Sequence, residues 1–489
     1  MVENNINIFA LTDSHQEARK LCCLFSGIVE RAPQNGRNSL ICDCGDIFKG
    51  IYERQLCVDS YVKLRELLPE AKIVLAVGNN DFGFNLENLN FYKKAVDTFN
   101  KANIHVVCAN LFDTNTGKYP DWVDPYILIE INHKKFLVTA FCINQIRLNK
   151  YGLNLIDIPE AFLKLKETIK HIEPDALVVL NHALEPSSRE LIKTANQHGI
   201  KIDLLIGGHE HSPVNFDANN RIYYPQAFSK TMLCFNMKFE NKQTNLEFIE
   251  QVNCKEVKLN PAFEKDIIEY EEKSGLNIPV AKSTLHLEKL YSDPCSLGTF
   301  IADIMRNEAK TDIALISTGY TSHALRYEKG KTLTYYNIER AFSADVPIQT
   351  TAIHPEELKD IFNNALKLRY IHHSGNVRFL QCSQNITIVS RKSENDMGFV
   401  KQIFINGEPL FDENVNALHP DILITCAIDP FIGAGEQGFD VFKPLSKETL
   451  MKNNHLVKIK DLFIKNIKEA EQKYIEGSEY PQFKLIDDD

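Results

Sequence analysis

Residues 39–50 read SLICDCGDIFKG, and this stretch decides the predicted fold. Its apolar run, residues 40–42, ends at Gly45 and Asp46, which is the pattern of a buried strand that runs into a tight turn. Open α/β sheets bind their ligands at the carboxyl ends of the strands, where this turn places Asp46. A single aspartate at a strand end is more often a turn or cap residue, so Asp46 indicates a site only together with other residues.

Four other strand-like runs in the first half of the chain also end in residues that can bind a metal ion. Their carboxylate, amide and imidazole groups suit Mn, Fe, Zn or Co rather than Ca. Two such ions about 4 Å apart can clamp both sides of an in-line displacement at phosphorus. We therefore predict a dinuclear metal centre, bridged by the carboxylate of Asp46, with the ligands Asp13, His15, Asp46, Asn79, His182, His209 and His211.

Each of these motifs has a simpler interpretation when it is taken alone. Residues 79–81 could form an ordinary turn, and His182 could be a hydrogen-bonded core histidine. His209 and His211 are more specific, because side chains two residues apart on an extended segment point to the same side. Five such sites, each at the end of a strand in one domain, favour the metal interpretation over chance.

Length and composition limit the class of protein. A chain of 489 residues exceeds one ordinary core, so two or more domains are expected. The net charge of −10 argues against a surface for nucleic acid or an anionic membrane. No run approaches the roughly 18 apolar residues of a membrane-spanning helix. We expect no nucleic acid and no membrane as partners.

The amino terminus and the cysteines bear on location. The first sixteen residues contain neither a basic segment nor a small-residue cleavage site, and the chain runs straight into a strand. Several of the twelve cysteines lie inside apolar runs, which is typical of buried thiols in a reducing compartment. The chain as written is expected to be cytoplasmic, or exported if a signal has been removed from it.

The order of predicted elements divides the chain. Residues 6–240 alternate β-rich runs with helical segments, which indicates a layered α/β domain, and hairpin-like runs near 222–227 and 232–239 suggest an antiparallel flank. Asn260 and Pro261 then begin a charged helix with one apolar stripe, which Gly275 ends. We predict a first domain at 1–255, a connector helix at 256–280 and a second domain at 281–489.

The ordered motifs carry a family resemblance. Asp13-x-His15, Gly45-Asp46, Gly78-Asn79, His182 and Gly208-His209-x-His211 resemble those of the calcineurin-like metallophosphoesterases. The whole chain resembles the two-domain 5′-nucleotidase family, including its 2′,3′-cyclic phosphodiesterase members. Three segments of the second half carry this further, namely 297–303 (LGTFIAD), 379–383 (FLQCS) and the glycine-rich loop 431–439. The resemblance implies an α/β (α+β overall) chain, with a β-sandwich flanked by helices followed by a C-terminal α/β domain.

The same resemblance implies roles for individual residues. One ion would be bound by Asp13, His15, Asp46 and His211, and the other by Asp46, Asn79, His182 and His209. A metal-bound hydroxide would attack a small phosphorylated substrate, a nucleotide of the 5′-nucleotidase or cyclic phosphodiesterase type. Phe431 matches one of two phenylalanines that stack on the base, and an alternative is that it anchors its loop to the core. The metals, the substrate and the oligomeric state stay open.

The sequence departs from the family at the predicted catalytic position. Asn80 stands where the family has its catalytic histidine, and Gly83 where an aspartate orients that histidine. Asn80 can donate a hydrogen bond to a phosphoryl oxygen of the substrate, but it cannot protonate the leaving oxygen. Loss of a positioned acid typically lowers the rate by about 10²- to 10⁴-fold.

The predicted nucleoside site departs from the family as well. Residues 315–322 contain no phosphate-binding arginine, residues 343–344 (Ser-Ala) replace a Pro-Phe turn, and Gln437 replaces an acidic residue. Candidate replacements for the missing arginine are Arg326, Arg369 and Arg378. We therefore expect a metal-dependent hydrolase with reduced or altered activity. The alternatives are a catalytically impaired metal-binding scaffold that binds a ligand or partner protein, and a structural α/β protein without metals.

Overall fold

A computed structural model describes most of the chain. The described residues are 5–48, 53–83, 86–144, 148–211, 215–240, 243–290, 293–321, 324–342, 345–370, 379–392, 398–435 and 438–487. The chain divides into two compact units, Met1–Tyr270 and Glu271–Asp489. The division falls inside the segment 256–280 that the sequence marks as a connector.

The first unit contains six helices and fourteen strands within its described residues. The helices are α1 (Ala18–Arg31), α2 (Arg54–Leu67), α3 (Leu86–Lys101), α4 (Ile158–Ile169), α5 (Glu185–Gln197) and α6 (Pro261–Ser274). The strands are β1 (Asn5–Leu11), β2 (Ser39–Asp43), β3 (Lys72–Ala76), β4 (His105–Val107), β5 (Leu111–Asp113), β6 (Tyr126–Ile131), β7 (Lys134–Cys142), β8 (Leu153–Leu155), β9 (Ala176–His182), β10 (Leu204–Gly208), β11 (Asn215–Asp217), β12 (Ile222–Tyr224), β13 (Thr231–Glu240) and β14 (Gln243–Asn253).

Two six-stranded sheets form the centre of the first unit. One has the order β14-β13-β1-β2-β3-β4, and the other has the order β11-β12-β10-β9-β7-β6. β1 to β4 are parallel, as are β7, β9, β10 and β12, so the carboxyl ends of these strands lie together at one edge of each sheet. The inner faces are continuous apolar surfaces and pack on each other, for example Ile8 and Val74 of one sheet with Val138 and Leu180 of the other.

Helices cover the two outer faces of this sandwich. α1, α2 and α3 pack on the first sheet through side chains such as Phe25, Tyr61 and Phe99, and α6 adds Phe263 and Ile267 to the same core. α4 and α5 pack on the second sheet through side chains such as Phe162 and Leu191. Each helix buries one apolar stripe and exposes its polar side, as an amphipathic helix on a sheet must. The predicted β-sandwich flanked by helices is confirmed.

Residues 222–227 and 232–239 lie next to antiparallel partners, as predicted, but they do not form a hairpin with each other. β12 pairs with β10 and β11 in the second sheet, whereas β13 pairs with β1 and β14 in the first. The chain therefore crosses from one sheet to the other between Tyr224 and Thr231. Alternation of polar and apolar residues identifies a strand but not the sheet that it joins, because both sheets bury one face in the same core.

α6 begins and ends where the sequence predicts. The side chain of Asn260 accepts a hydrogen bond from the backbone N–H of Ala262 at 2.9 Å, and Gly275 follows the helix with a φ of 72°. Phe263 and Ile267 are fully buried in the core that the first sheet shares with α1 to α3. The helix is therefore held by its apolar stripe as an integral layer of the first unit.

The second unit contains five helices and fifteen strands within its described residues. The helices are α7 (Ser296–Ala309), α8 (Tyr335–Ala341), α9 (Pro355–Tyr370), α10 (Pro430–Gly433) and α11 (Ile459–Lys473). The strands are β15 (Pro279–Lys282), β16 (Leu285–His286), β17 (Ile313–Ser317), β18 (Thr332–Thr334), β19 (Gln349–Ile353), β20 (Leu380–Cys382), β21 (Ile386–Lys392), β22 (Gly398–Ile405), β23 (Glu408–Pro409), β24 (Ile424–Ile428), β25 (Glu448–Thr449), β26 (Met451–Lys452), β27 (His455–Leu456), β28 (Ser478–Glu479) and β29 (Lys484–Asp487).

A five-stranded mixed sheet, in the order β20-β17-β24-β19-β25, separates two apolar cores of the second unit. α7 and α11 pack in one core and α9 in the other. A four-stranded sheet, β23-β22-β21-β29, completes the unit. Among the helices of the described residues, none combines the length and the hydrophobicity that a membrane span requires. All twelve cysteines are free thiols, and eleven of them are buried.

Candidate metal centre

The seven predicted ligands stand at the carboxyl ends of five strands. Asp13 and His15 follow β1, Asp46 follows β2, and Asn79 follows β3 in the first sheet. His182 is the last residue of β9, and His209 and His211 follow β10 in the second sheet. Because the sheets pack face to face, the polar residues at these strand ends meet at the rim of the sandwich.

The first group of ligands is Asp13, His15, Asp46 and His211, whose potential ligand atoms all lie within 4.8 Å of one another. The Nε2 atoms of His15 and His211 are 2.7 Å apart. The Oδ1 atom of Asp13 lies 3.1 Å from His211 Nε2 and 3.5 Å from His15 Nε2. Asp46 completes the group, with its Oδ2 atom 3.8 Å from His15 Nε2.

The second group is Asp46, His182 and His209, with Asn79 beside them. His182 Nε2 lies 3.3 Å from Asp46 Oδ2 and 3.2 Å from Asn79 Oδ1. His209 Nδ1 lies 2.8 Å from the same Asn79 oxygen. Asp46 is common to both groups, in the position that a bridging carboxylate requires. The structure thus brings all seven predicted ligands together.

The donor set fits divalent cations. Zn–N and Zn–O bonds are about 2.0–2.2 Å long, so neighbouring ligand atoms around one ion lie roughly 3 Å apart. The distances within the two groups, from 2.7 to 3.8 Å, are of this size. The Nε2 atom of His209 is also buried without a hydrogen-bond partner among the described residues. A buried polar atom of this kind is costly unless an ion or water binds it.

The ring of His182 is oriented by the backbone. Its Nδ1 lies 2.7 Å from the carbonyl oxygen of Cys44, and Nδ1 must donate because a carbonyl only accepts. In the neutral ring, Nε2 therefore directs a lone pair at the oxygens of Asp46 and Asn79. Three acceptors that face one another repel unless a proton or a cation lies between them, and backbone carbonyls often orient metal-binding histidines in this way.

The electrostatics of the site follow from burial and opposite charges. Burial acts to raise the pKa of Asp13 and of Asp46, but the neighbouring histidines, His182 first, hold the pKa of both carboxyls below its usual range. Burial acts to lower the pKa of His182, and the Asp46 and Asp13 carboxylates raise it well above its usual value. Burial and the charge of His182 lower the pKa of His209 to about 4, so His209 is neutral at pH 7.

The backbone around the ligands is strained and cross-linked. Five of the seven ligand residues adopt a positive φ, namely Asp13, His15, Asp46, His209 and His211. Such residues cost free energy and cluster at functional sites. The N–H of His15 donates to the carbonyl of Asp46, and the N–H of His209 donates to the Asp13 carboxylate, both at 2.9 Å. Gly78 is required here, because a Cβ at this position would lie 2.1 Å from the nitrogen of Asp46.

Asn80 lies directly against the shared carboxylate. Its backbone N–H donates to Asp46 Oδ1 at 2.7 Å, and its side-chain Nδ2 donates to Asp46 Oδ2 at 2.6 Å. The predicted catalytic position therefore adjoins both ligand groups. Gly83, where the family has an orienting aspartate, has a φ of 64°, and a Cβ on it would lie 2.2 Å from the Cβ of Asn88. The side chain of Asn88 occupies the space that the missing carboxylate would need.

Sequence reasoning missed the role of Asp81. Its buried carboxylate accepts hydrogen bonds from the N–H groups of Asp46 and Phe48 at 2.9 Å and of Gly78 at 2.8 Å, and so joins the turns after β2 and β3. Burial, followed by the charge of Asp46, raises the pKa of Asp81 to about 8. The available signal was the run of three polar residues at 79–81, which is equally typical of a simple turn.

Phe431 lies in the second unit, at the first turn of α10. Its N–H donates to the side chain of Asp429 at 2.8 Å, and its half-buried ring packs against the core that contains Tyr320. This contact agrees with the anchoring interpretation and leaves part of the ring exposed. Of the predicted departures, Ser343, Ala344 and Gln437 lie outside the described residues. Of the candidate replacements for the missing arginine, Arg378 lies outside them, as does the side chain of Arg369. Arg326 is exposed, and its Nη2 lies 3.5 Å from Glu288.

Two family models match the chain. Residues 6–213 match the calcineurin-like phosphoesterase family, and residues 276–444 match the 5′-nucleotidase C-terminal domain. The endonuclease YhcR of Bacillus subtilis (strain 168) is 24% identical over 332 residues, which are 62% of this chain and 27% of that protein. The chain thus spans about a quarter of the length of this curated relative.

Solved structures share the fold over nearly the whole chain. A 5′-nucleotidase precursor from Thermus thermophilus superposes with a TM-score of 0.72 at 15% identity, covering 99% of this chain and all of that one. A 5′-nucleotidase from Candida albicans superposes with a TM-score of 0.66 at 13% identity, covering 96% and 98%. At these identities the likeness establishes the two-domain fold, and the chemistry must be argued from the residues.

Proposed function

Because the chain belongs to the calcineurin-like phosphoesterases, with a 5′-nucleotidase C-terminal domain, we propose that it hydrolyses a phosphate ester of a nucleotide with the help of two divalent metal ions. The family is one of hydrolases, and the structure adds a candidate site within the matched residues. The proposed substrates are nucleoside 5′-monophosphates or 2′,3′-cyclic nucleotides. The proposed ions are drawn from Mn, Zn, Fe and Co, which prefer mixed oxygen and nitrogen ligands.

One observation supports this proposal above the others. The two ligand groups share Asp46, and within each group the potential ligand atoms all lie within 4.8 Å of one another. Two of the ring nitrogens, Nε2 of His15 and Nε2 of His211, approach to 2.7 Å, and Nε2 of His209 is buried without a hydrogen-bond partner among the described residues. A bound cation makes both arrangements favourable, because it takes the place of the missing donors.

The residues of the site would have the following roles in the reaction. Divalent ions held there would activate a water molecule and neutralise the charge that develops on the phosphoryl oxygens. Asp46 would fix the spacing of the two ions. The carbonyl of Cys44 would hold the ring of His182 in the required tautomer. The side-chain amide of Asn80 would donate a hydrogen bond to a phosphoryl oxygen of the substrate. The leaving oxygen would take its proton from water.

The choice of a small substrate rests on charge. With a net charge of −10, the chain has no general attraction for a polyanion. A single phosphate group needs only the local positive charge of the two ions. The relative named as an endonuclease makes nucleic acid the natural competing substrate, and single-stranded DNA and RNA belong in the assay for that reason.

The proposal is tested with purified protein loaded with Mn²⁺ or Zn²⁺. Nucleoside monophosphates, 2′,3′-cyclic nucleotides, an activated aryl phosphate and single-stranded nucleic acid are compared as substrates. We expect turnover of a small phosphate ester that Asp46→Asn abolishes. The exposed Asp121→Asn is the matched control and should leave turnover unchanged. Absence of turnover with every metal and substrate would contradict a hydrolase.

A second candidate is a metal-binding scaffold with impaired catalysis that binds a ligand or a partner protein. It is favoured by Asn80, which is held against Asp46, and by the lack of space beside Gly83 for an orienting carboxylate. Asn80→His separates the two candidates. A hydrolase that lacks only its acid should gain about 10²-fold in rate or more, whereas a scaffold should gain nothing.

A further inference from the structure

The turn between β12 and β13 passes beside the first group of ligands. The N–H of Phe228 in this turn donates to the backbone carbonyl of Asp13 at 2.6 Å. The centroid of the Phe228 ring lies 5.1 Å from that of His15 and 5.0 Å from that of His211. One aromatic side chain therefore contacts both histidines of the same ligand group.

Phe228 has an unfavourable backbone conformation. Its φ is 63°, and Ser229 follows with a φ of 49°. Aspartate, asparagine and histidine are the side chains that tolerate this region best, whereas a bulky aromatic residue is an outlier there. Backbone strain of this kind persists only where the surroundings determine the conformation, and it tends to accompany function. For Phe228 the surroundings include two potential metal ligands and the carbonyl of a third.

The ring limits how the two histidines can turn. It is tilted by 38° to the ring of His15 and meets that of His211 at 66°, nearly edge-on. The His15 side chain is 1% exposed, but that of His211 is 21% exposed and less enclosed by the protein. Contact with Phe228 favours the rotamers in which the two Nε2 atoms converge to 2.7 Å.

We propose that Phe228 is a positioning residue of the metal centre. Its strained turn presses the ring against His15 and His211, which presets both imidazoles for the first ion and covers this side of the site. The inference rests on the proposed dinuclear centre and adds a residue that none of the ligand motifs contains. The backbone strain at Phe228 would then favour binding, because histidines that are already held in position lose less rotamer freedom when the ion binds.

The test is calorimetric titration of metal-free protein with Mn²⁺ or Zn²⁺, combined with thermal unfolding. The variants are Phe228→Gly, Phe228→Ala and, as the control that keeps the ring, Phe228→Tyr. We expect two binding events in the unaltered protein. Gly and Ala at this position should each weaken one event by about 10- to 100-fold and leave the other unchanged, whereas Tyr should weaken neither.

Unfolding of the metal-free protein supplies a second readout. Glycine relieves the positive φ and alanine does not, so Phe228→Gly should unfold roughly 2–4 °C above Phe228→Ala. A phenylalanine that only fills space would change stability and leave both binding events intact. If the unaltered protein binds two ions and the Gly and Ala variants bind them equally well, the positioning role is wrong. If the unaltered protein binds no ion, the proposed centre fails as well.

Discussion

The metal centre of the first unit and the α10 loop of the second unit were both predicted from family motifs, but they are built differently. At the metal centre, Asp13 and Asp46 are potential ligands and also accept hydrogen bonds from backbone N–H groups of neighbouring turns. In the α10 loop, the side chain of Asp429 accepts hydrogen bonds from the N–H groups of Phe431 and Ile432, and Phe431 itself contributes its backbone N–H and a half-buried ring.

Asp13 and Asp46 hold the turns in place and are potential metal ligands as well, whereas Phe431 could affect substrate binding without determining the shape of its loop. Replacing Asp46 disturbs two ligand groups and the turn after β3 together, because the same oxygens serve both. Replacing Phe431 leaves the Asp429 hydrogen bonds in place, because they involve the backbone. The first region can therefore be read from the sequence residue by residue, whereas the second can keep its shape while its ligand changes.

The largest effect is expected for His182→Ala. It removes a ligand of the second group and the imidazole that lies 3.3 Å from the Asp46 carboxylate. Loss of an ion would cost on the order of 5 kcal/mol of transition-state stabilisation, or roughly 10⁴-fold in kcat. Metal analysis should show one tightly bound ion instead of two. His133→Ala, at an exposed turn, is the control, and an unchanged metal content in His182→Ala would refute the assignment.

Metal removal should affect the two units differently. Ions present at a thousandfold excess over their Kd stabilise the state that binds them by about 4 kcal/mol. The sole tryptophan, Trp122, packs against the first-unit core, with its ring 5.9 Å from that of Tyr92, and its fluorescence therefore reports on the first unit alone. A chelator should lower the midpoint of the fluorescence transition. The unfolding transition of the second unit, followed by circular dichroism, should not move, and equal shifts of both transitions would contradict a centre confined to the first unit.

The pH dependence of the second unit should be visible through Asp429. Burial raises the pKa of this carboxyl to about 6, although the N–H groups of Ser317, Phe431 and Ile432 act to lower it. The folded protein then binds this proton more tightly than the unfolded chain, whose pKa is near 3.8. The contribution of Asp429 to stability is therefore greatest below pH 4 and falls by up to about 3 kcal/mol as the pH rises to 6.

Asp429→Asn tests this directly. The difference in unfolding free energy between the unaltered protein and the variant should shrink or change sign as the pH rises from 4 through 6, and become constant about one pH unit above 6. At every pH the variant should also lose an acceptor for one backbone N–H, at a cost of about 1–3 kcal/mol. The exposed Asp421→Asn serves as the control. A difference that is flat across this range would mean that Asp429 is charged throughout.

The smallest effect is expected for Phe431→Ala. If its ring stacks on the base, KM for a nucleoside monophosphate should rise about 10-fold with kcat unchanged, which lies within the 1–3 kcal/mol of a base stack. The exposed Phe399→Ala, on β22, should change neither. A loss of stability in Phe431→Ala without any change in KM would assign the ring to the core.

The sequence alone predicted those parts of the structure in which a local sequence pattern is compatible with a single local structure. A strand that ends in a ligand is such a pattern, because parallel strands in one sheet bring their carboxyl ends together. The boundaries of α6 are another, since Asn260, Pro261 and Gly275 each have a specific role at a helix end. In these places, local chemistry and tertiary structure give the same answer.

The rest depends on contacts between residues distant in the chain. Nothing near β12 shows that it leaves β13 for the other sheet. In the sequence Asp81 resembles a turn residue, because the turn after β2, from whose N–H groups it accepts hydrogen bonds, is distant from it in the chain. Phe228 has no motif at all, because its significance lies in a backbone conformation and in two histidines that are close in space and distant in sequence. Gly83 is required because Asn88 occupies the adjacent space and because its φ is positive, and neither can be read from the sequence.

The burial of α6 has a practical consequence for dissecting the protein. Phe263 and Ile267 are buried in the core that also contains Phe25 of α1 and Tyr61 of α2, so a fragment that stops at residue 255 would expose the apolar surface that they cover. Such a fragment should aggregate or recruit chaperones even though every candidate ligand is present in it. A fragment that ends after residue 275 would keep α6 and the apolar surface that it covers. The metal chemistry of the amino-terminal half could then be studied in isolation.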